Sequence, residues 1–151
     1  NQGLRILGLK KDSKEVYVLD TSAILTYIED EEGSNFVENL LIRAEADEID
    51  IYLAFISLTE VFYITMQEKG DEEAIKRIEL LKSLKIKIEE SNEDLNLRAG
   101  RLKAKNNISL ADAYISALSQ AADAVLVHKD PEFEALSPFI KEHRLPYKIV
   151  N

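Results

Sequence analysis

From residue 16 onward, short apolar runs alternate with longer stretches in which apolar residues recur every three or four positions. Val16–Leu19 is too short for a helix and is rich in β-branched and aromatic residues, which predicts a buried strand. A helix follows over Ser22–Glu29, broken near Gly33. In the stretch 34–46, Phe36, Val37, Leu40, Leu41 and Ala44 mark one face of a second helix. Ile51–Phe55 reads as another buried strand. Ser57–Lys69 predicts a helix closed by Gly70, and Asp71–Ser83 the next, with an acid as its N-cap. Ile86–Ile88 alternates with lysine and suits a short strand near an edge. A polar helix starts at Ser91 and a further one at Ser109, after which Ala124–Val127 is a buried strand. A short helix after Pro131 and a final strand at Tyr147–Val150 complete the pattern.

Strands alternating with helices imply a parallel sheet covered on both faces. The predicted fold is therefore α/β, a three-layer α/β/α sandwich around a central, mostly parallel sheet. Ligands in such sheets gather beyond the carboxyl ends of the strands, where the strand order reverses. At 151 residues the chain suits one domain with a hydrophobic core. That domain is read as residues 16–151. Residues 1–15 are read as an amino-terminal arm, either partly foreign to the natural chain or a loose segment of it, the opening Asn in place of Met being consistent with processing as well. There is no cysteine to supply a disulfide or a thiolate ligand. No apolar run approaches the roughly 20 residues of a membrane span, so the expectation is a cytoplasmic protein without a membrane partner. A net charge of -9 argues against non-specific wrapping of nucleic acid. It leaves room for a nuclease whose substrate phosphate is met by metal and a few local cations.

Charge is distributed unevenly. Val16–Ile28 contains one charged residue, Asp20; Ile51–Gln67 contains only Glu60; Asn106–Ala122 contains only Asp112. These segments hold 47 residues and three charges where a composition of 31% charged residues predicts about fifteen, and all three are acids. Each acid taken alone has a capping explanation. SLTE at 57–60 and SLAD at 109–112 both match the capping box, Asp20 can cap the helix after it, and Asp130 precedes a proline suited to a first helical position. Together they are harder to dismiss. Asp20 and Asp130 end buried strands, and Glu60 and Asp112 sit in the first turns of apolar helices. Asp112 heads a stripe of small polar groups, Ser116 and Ser119, opposite an apolar face of Leu110, Tyr114, Ala117 and Leu118. Converging carboxylates repel one another, and burying one without a partner costs several kcal/mol. No Lys or Arg lies within the three segments to compensate. All-oxygen donors without His or Cys point to Mg²⁺ or Mn²⁺ and to phosphodiester hydrolysis by a metal-activated water.

VYVLDTSAIL, SLTEV, SLADAYISAL and LVHKDPEFEAL, in this order and at this spacing, resemble the four motifs of the PIN domain, most nearly those of VapC-type ribonucleases, the toxins of toxin–antitoxin pairs. The resemblance covers residues 16 to about 150. It implies that Asp20, Glu60, Asp112 and Asp130 form the catalytic, metal-binding pocket for one or two Mg²⁺ or Mn²⁺ ions. Thr21 or Ser22 would contact the cluster or the scissile phosphate. The implied activity is metal-dependent endonucleolytic cleavage of RNA, and the implied partners are a VapB-like antitoxin and a second copy of the chain. One departure stands out: the family's fourth motif has Thr or Ser two residues before its acid, whereas this chain has His128, followed by Lys129. These two residues are either a surface variation or contacts to substrate phosphate.

Arg98, Arg101, Lys103 and Lys105, on the helix leading to Asp112, offer a phosphate path, or else a solvated helix face. Tyr27 and Tyr63 are candidates for base stacking or for the core. Phe36, Leu40, Phe62 and Tyr63 supply apolar surface for a homodimer. Two alternatives to the toxin remain: a PIN nuclease of RNA processing or decay, and a catalytically silent PIN-like binding module. Retention of all four acids weighs against the silent module.

Overall fold

The computed structural model describes residues 14–136 and 138–147. Most of the predicted arm and the predicted strand beyond Tyr147 lie outside them. Twelve elements follow one another: β1 (Glu15–Leu19), α1 (Thr21–Ile28), α2 (Ser34–Glu45), β2 (Ile49–Ala54), α3 (Phe55–Lys69), α4 (Asp71–Ser83), β3 (Lys87–Glu89), α5 (Glu93–Lys105), α6 (Leu110–Ala121), β4 (Val125–His128), a 3₁₀ helix (Pro131–Leu136) and β5 (Lys141–Arg144). The five strands form one sheet in the order β3-β2-β1-β4-β5, with every pair parallel. The strand order reverses between β1 and β4, where Val18 pairs with Leu126 and Leu19 with Val127.

Alternate residues of the central strands serve two cores. Tyr17, Leu19, Ile51, Leu53 and Val127 pack with residues of α1–α4 such as Ile24, Val37, Val61 and Leu81. Val18, Ala54 and Leu126 face the opposite way, onto α5, α6 and the 3₁₀ helix, where Leu95, Ile115, Phe133 and Leu136 meet them. This period-two division gives the three layers predicted from the sequence. None of the described helices is long and apolar enough to cross a membrane.

Several local expectations change. β2 runs directly into α3, with Ala54 as the N-cap and no side-chain cap bond, so Ser57 is an interior helical residue. Gly70, at φ 91°, ends α3 and also begins α4, which places Asp71 in the first turn of α4 together with Glu72 and Glu73, a favourable position against the helix dipole. Leu40 is fully buried in the first core and cannot serve a dimer surface. Leu110 is 53% exposed while Ser116 and Ser119 are buried, so the small polar stripe of α6 faces the sheet and not the solvent. Lys141–Arg144, a wholly polar segment, forms the edge strand β5 through its pairing with β4.

Gly33 starts α2 at φ 102°, and a Cβ there would lie 3.3 Å from both Leu145 and Pro146. Only glycine adopts this conformation without strain. Gly33→Ala is expected to lower stability by about 1–2 kcal/mol. Urea denaturation would show this as a lower midpoint with an unchanged slope.

Candidate metal centre

The end of β1 and the end of β4 lie side by side at the reversal of strand order, and the Asp20 amide donates to the Val127 carbonyl at 3.1 Å. Asp20 then caps α1, accepting from the Ala23 amide at 2.8 Å. Ser22 donates to the same carboxylate, at 2.7 and 2.8 Å from its two oxygens, and accepts from the Lys129 amide at 2.9 Å. One hydroxyl thus ties the first acid to the strand end that carries the fourth.

Asp112 enters from α6. Ser109 caps that helix as predicted, accepting from the Asp112 amide at 3.1 Å. Across from it, Asp130 accepts from the Glu132 amide at 3.0 Å and so caps the 3₁₀ helix, while Glu132 accepts from the Ser109 amide at 3.1 Å. Carboxylate oxygens of Asp112, Asp130 and Glu132 all fall within 4.8 Å of one another. Glu132 is the member the sequence did not single out. It lies in an acid-rich stretch, where no absence of neighbouring charge marks it.

Glu60, on α3, is tied to the residue that follows Asp20 and is not one of these three clustered acids. Thr21 donates to Glu60 Oε1 at 2.5 Å, and its hydroxyl lies 3.1 Å from that of Ser57. Thr21 is buried with its hydroxyl engaged on two sides, so it holds protein groups in place and does not offer a free contact to substrate.

Two of the acids are withdrawn from water, whereas Asp130 is half-buried and Glu132 exposed. Asp20 is 3% exposed and Asp112 8%. Burial pushes the Asp20 carboxyl up to about 7, with a further push from Asp130, against the pull of the Ser22 and Ala23 hydrogen bonds. Burial likewise raises Asp112 to about 8, reinforced by the charges of Asp130, Glu132 and Asp20. Among the described residues no Lys or Arg forms an ion pair with Asp20, Asp112, Asp130 or Glu132. Hard oxygen donors, mutual repulsion and no cation of the protein's own fit a divalent ion of the Mg²⁺ or Mn²⁺ type.

The expected substrate contacts separate into two groups. His128 is fully buried, and burial holds its ring below the usual histidine range. Its Nδ1 accepts from the Asp130 amide at 3.2 Å. It is therefore neither a surface variation nor a contact to phosphate. The Lys129 side chain is 6% exposed and lies 3.7 Å from the Glu31 carboxylate. Arg98 and Arg101, by contrast, line a groove of about 540 Å³ together with Lys105, Leu102, Gln120 and Phe139. Arg98 is bonded to Asp94 at 2.8 Å, and Lys103 turns away to the Ile108 carbonyl. Of the two tyrosines, Tyr27 packs against the first core and Tyr63 is exposed.

The family model described as PIN domain matches residues 17–137. No curated protein matches the chain. Among solved structures the chain is similar to VapBC2 of Rickettsia felis bound to a DNA fragment from their promoter, with 20% identity over 87% of this chain and 99% of that one and a TM-score of 0.71. It is similar also to DNA-bound VapBC of Salmonella typhimurium, with 19% identity over 86% and 98% and a TM-score of 0.69. A third is VapC20 of Mycobacterium tuberculosis, a sarcin-ricin loop cleaving toxin, with 16% identity over 85% and 98% and a TM-score of 0.65. At these identities the likeness is one of fold.

The two raised carboxyls make stability depend on pH. The folded, metal-free protein keeps protons on Asp20 and Asp112 that the unfolded chain releases near 3.8, so it binds more protons between that value and about 8. Their contribution to stability is therefore largest at acid pH and is lost as pH rises through 7 to 8. Melting of metal-free protein is expected at progressively lower temperature from pH 5 to 8, and Asp112→Asn should flatten the trend. Scanning fluorimetry across that range is the check; a profile that rises with pH would contradict it.

Proposed function

Because the chain belongs to the PIN domain family and holds its acids at the reversal of strand order, we propose that it is a metal-dependent endoribonuclease of the VapC toxin kind. The observation that carries this reading is the meeting of Asp112, Asp130 and Glu132 oxygens within 4.8 Å beside the buried Asp20. Asp112, Asp130 and Glu132 would hold the cation, and Asp20, fixed by Ser22 and the Ala23 amide, would complete its charge balance. A bound Mg²⁺ or Mn²⁺ would supply an activated water and neutralise charge developing on the scissile phosphate. Glu60, with Oε1 engaged by Thr21, has Oε2 left to orient that water. The reaction is hydrolysis of an RNA phosphodiester, with water adding to phosphorus and a ribose oxygen leaving.

The basic face of α5 would guide the substrate. Arg98, Arg101 and Lys105 recur at helical spacing along the groove, and among the described residues neither Arg101 nor Lys105 has an acidic partner. The exposed ring of Phe139 at the other wall offers a surface for base stacking. Asn106, which also lines the groove, stands three residues before the Ser109 cap of the helix that carries Asp112. The similar VapBC structures support a VapB-like protein as the partner that would hold the enzyme inactive. Exposed Tyr63, Met66 and Ile75 on α3 and α4, in place of the buried Leu40, would supply the homodimer surface.

A mixed RNA pool incubated with Mg²⁺ or Mn²⁺ tests the reading. The wild type is expected to cut it, and Asp112→Asn to lose at least about 100-fold of that activity. Arg101→Glu combined with Lys105→Glu should raise KM for long RNA while leaving cleavage of a trinucleotide unchanged. A wild type that cuts no RNA with either metal would defeat the nuclease reading.

A further inference from the structure

His128 and Glu142 stand behind the carboxylates, and the chemistry described so far uses neither. The ring of His128 is fully buried and packs 4.9 Å from that of Phe133. A ring nitrogen that accepts a hydrogen bond carries no proton, so acceptance at Nδ1 from the Asp130 amide requires the ring's hydrogen to sit on Nε2. Nε2 lies 3.7 Å from Glu142 Oε2, and neither atom has a hydrogen-bond partner among the described residues. The other oxygen of Glu142 is engaged by Arg144. Parallel pairing of β5 with β4, Leu126 opposite Glu142 and His128 opposite Arg144, sets this carboxylate beside the ring. Beyond the ring, Asp130 Oδ1 receives the Glu132 amide, so one line of contacts runs from the edge strand to two of the three clustered acids.

We infer that His128 is a positioning residue for the metal centre: its Nδ1 holds the backbone at Asp130, and Glu142 selects the ring tautomer that makes Nδ1 an acceptor. The inference rests on the metal-site reading of the acids. Oriented in this way, the Asp130 and Glu132 carboxylates reach the cation already arranged, and binding spends less energy on ordering them. In the PIN pattern the corresponding position is Thr or Ser, whose hydroxyl can accept the same amide. His128 performs that acceptance with a ring nitrogen and turns its other nitrogen towards the Glu142 carboxylate of the edge strand.

The chain has two histidines, His128 and His143, so ¹⁵N imidazole spectra of the full-length protein, assigned with His143→Gln, read the tautomer directly. The Nε2–H form is expected at His128. Calorimetric titration with Mn²⁺ gives the second readout. His128→Leu, which removes the acceptor, should weaken Mn²⁺ binding roughly tenfold. His128→Asn, which keeps an acceptor oxygen at the same branch, should stay within about threefold of wild type. Glu142→Gln is the companion variant should His128→Leu fail to fold. Arg144 retains the amide oxygen, which turns the NH₂ towards Nε2 and forces the ring to donate against the Asp130 amide, and a loss of roughly tenfold is again expected. An Nδ1–H tautomer in the wild type, or a folded His128→Leu or Glu142→Gln that binds Mn²⁺ like the wild type, overturns the inference and leaves the metal site intact. A wild type that takes up no Mn²⁺ overturns the metal-site reading and this inference with it.

Discussion

Asp20 and Asp112 are withdrawn from water beside further carboxylates and without a cation of the protein's own, and much of the structure around them offsets that cost. The offset is assembled from neutral donors. Asp20 takes two contacts from the Ser22 hydroxyl and one from the Ala23 amide, and Asp112 sits at the start of α6, where the helix dipole favours negative charge. These contacts lower the cost without removing it, since both carboxyls remain well above the ordinary range. What persists is a standing electrostatic demand at one point of the fold, strongest when the acids are ionised.

Sheet topology puts that demand where it is. Because all the strands run parallel, their carboxyl ends share one edge of the sandwich, and the neighbouring of β1 and β4 opens the crevice there. The small side chains on the inner face of α6, Ala113, Ser116 and Ala117, let that helix lie close against the sheet, which brings Asp112 to the crevice. Capping a helix and offering a free oxygen to the cluster are therefore not alternatives for these acids. Asp20 and Asp130 each cap a helix with one oxygen, and the same bond orients the other oxygen.

Legibility in the sequence followed how local each cause was. The buried strands and the isolated acids Asp20, Glu60 and Asp112 could be read because their signal is contained in a dozen or so neighbouring residues. β5 could not: Lys141–Arg144 has no apolar alternation, and its conformation comes from pairing with β4, more than ten residues earlier. Ser57 matched a capping motif that the fold does not use, because β2 and α3 meet without a linker and the helix begins two residues sooner. Glu132 was hidden among other acids, and only the crossing of the 3₁₀ helix with the start of α6 distinguishes it from Glu134. His128 looked like a departure at the surface because the sequence does not reveal that β5 closes over it.

The residues of the cluster are far apart in the chain, and this has a consequence for how the protein comes into being. Chains emerge from the amino terminus as synthesis proceeds, yet the neighbouring acids run from Asp20, just after the first strand, to Glu132, past the fourth. A ribosome-bound or truncated chain that stops short of residue 132 holds at most part of that acidic cluster, whatever else of the sheet has formed. The acidic cluster therefore takes shape late in synthesis, once four of the five strands have been made.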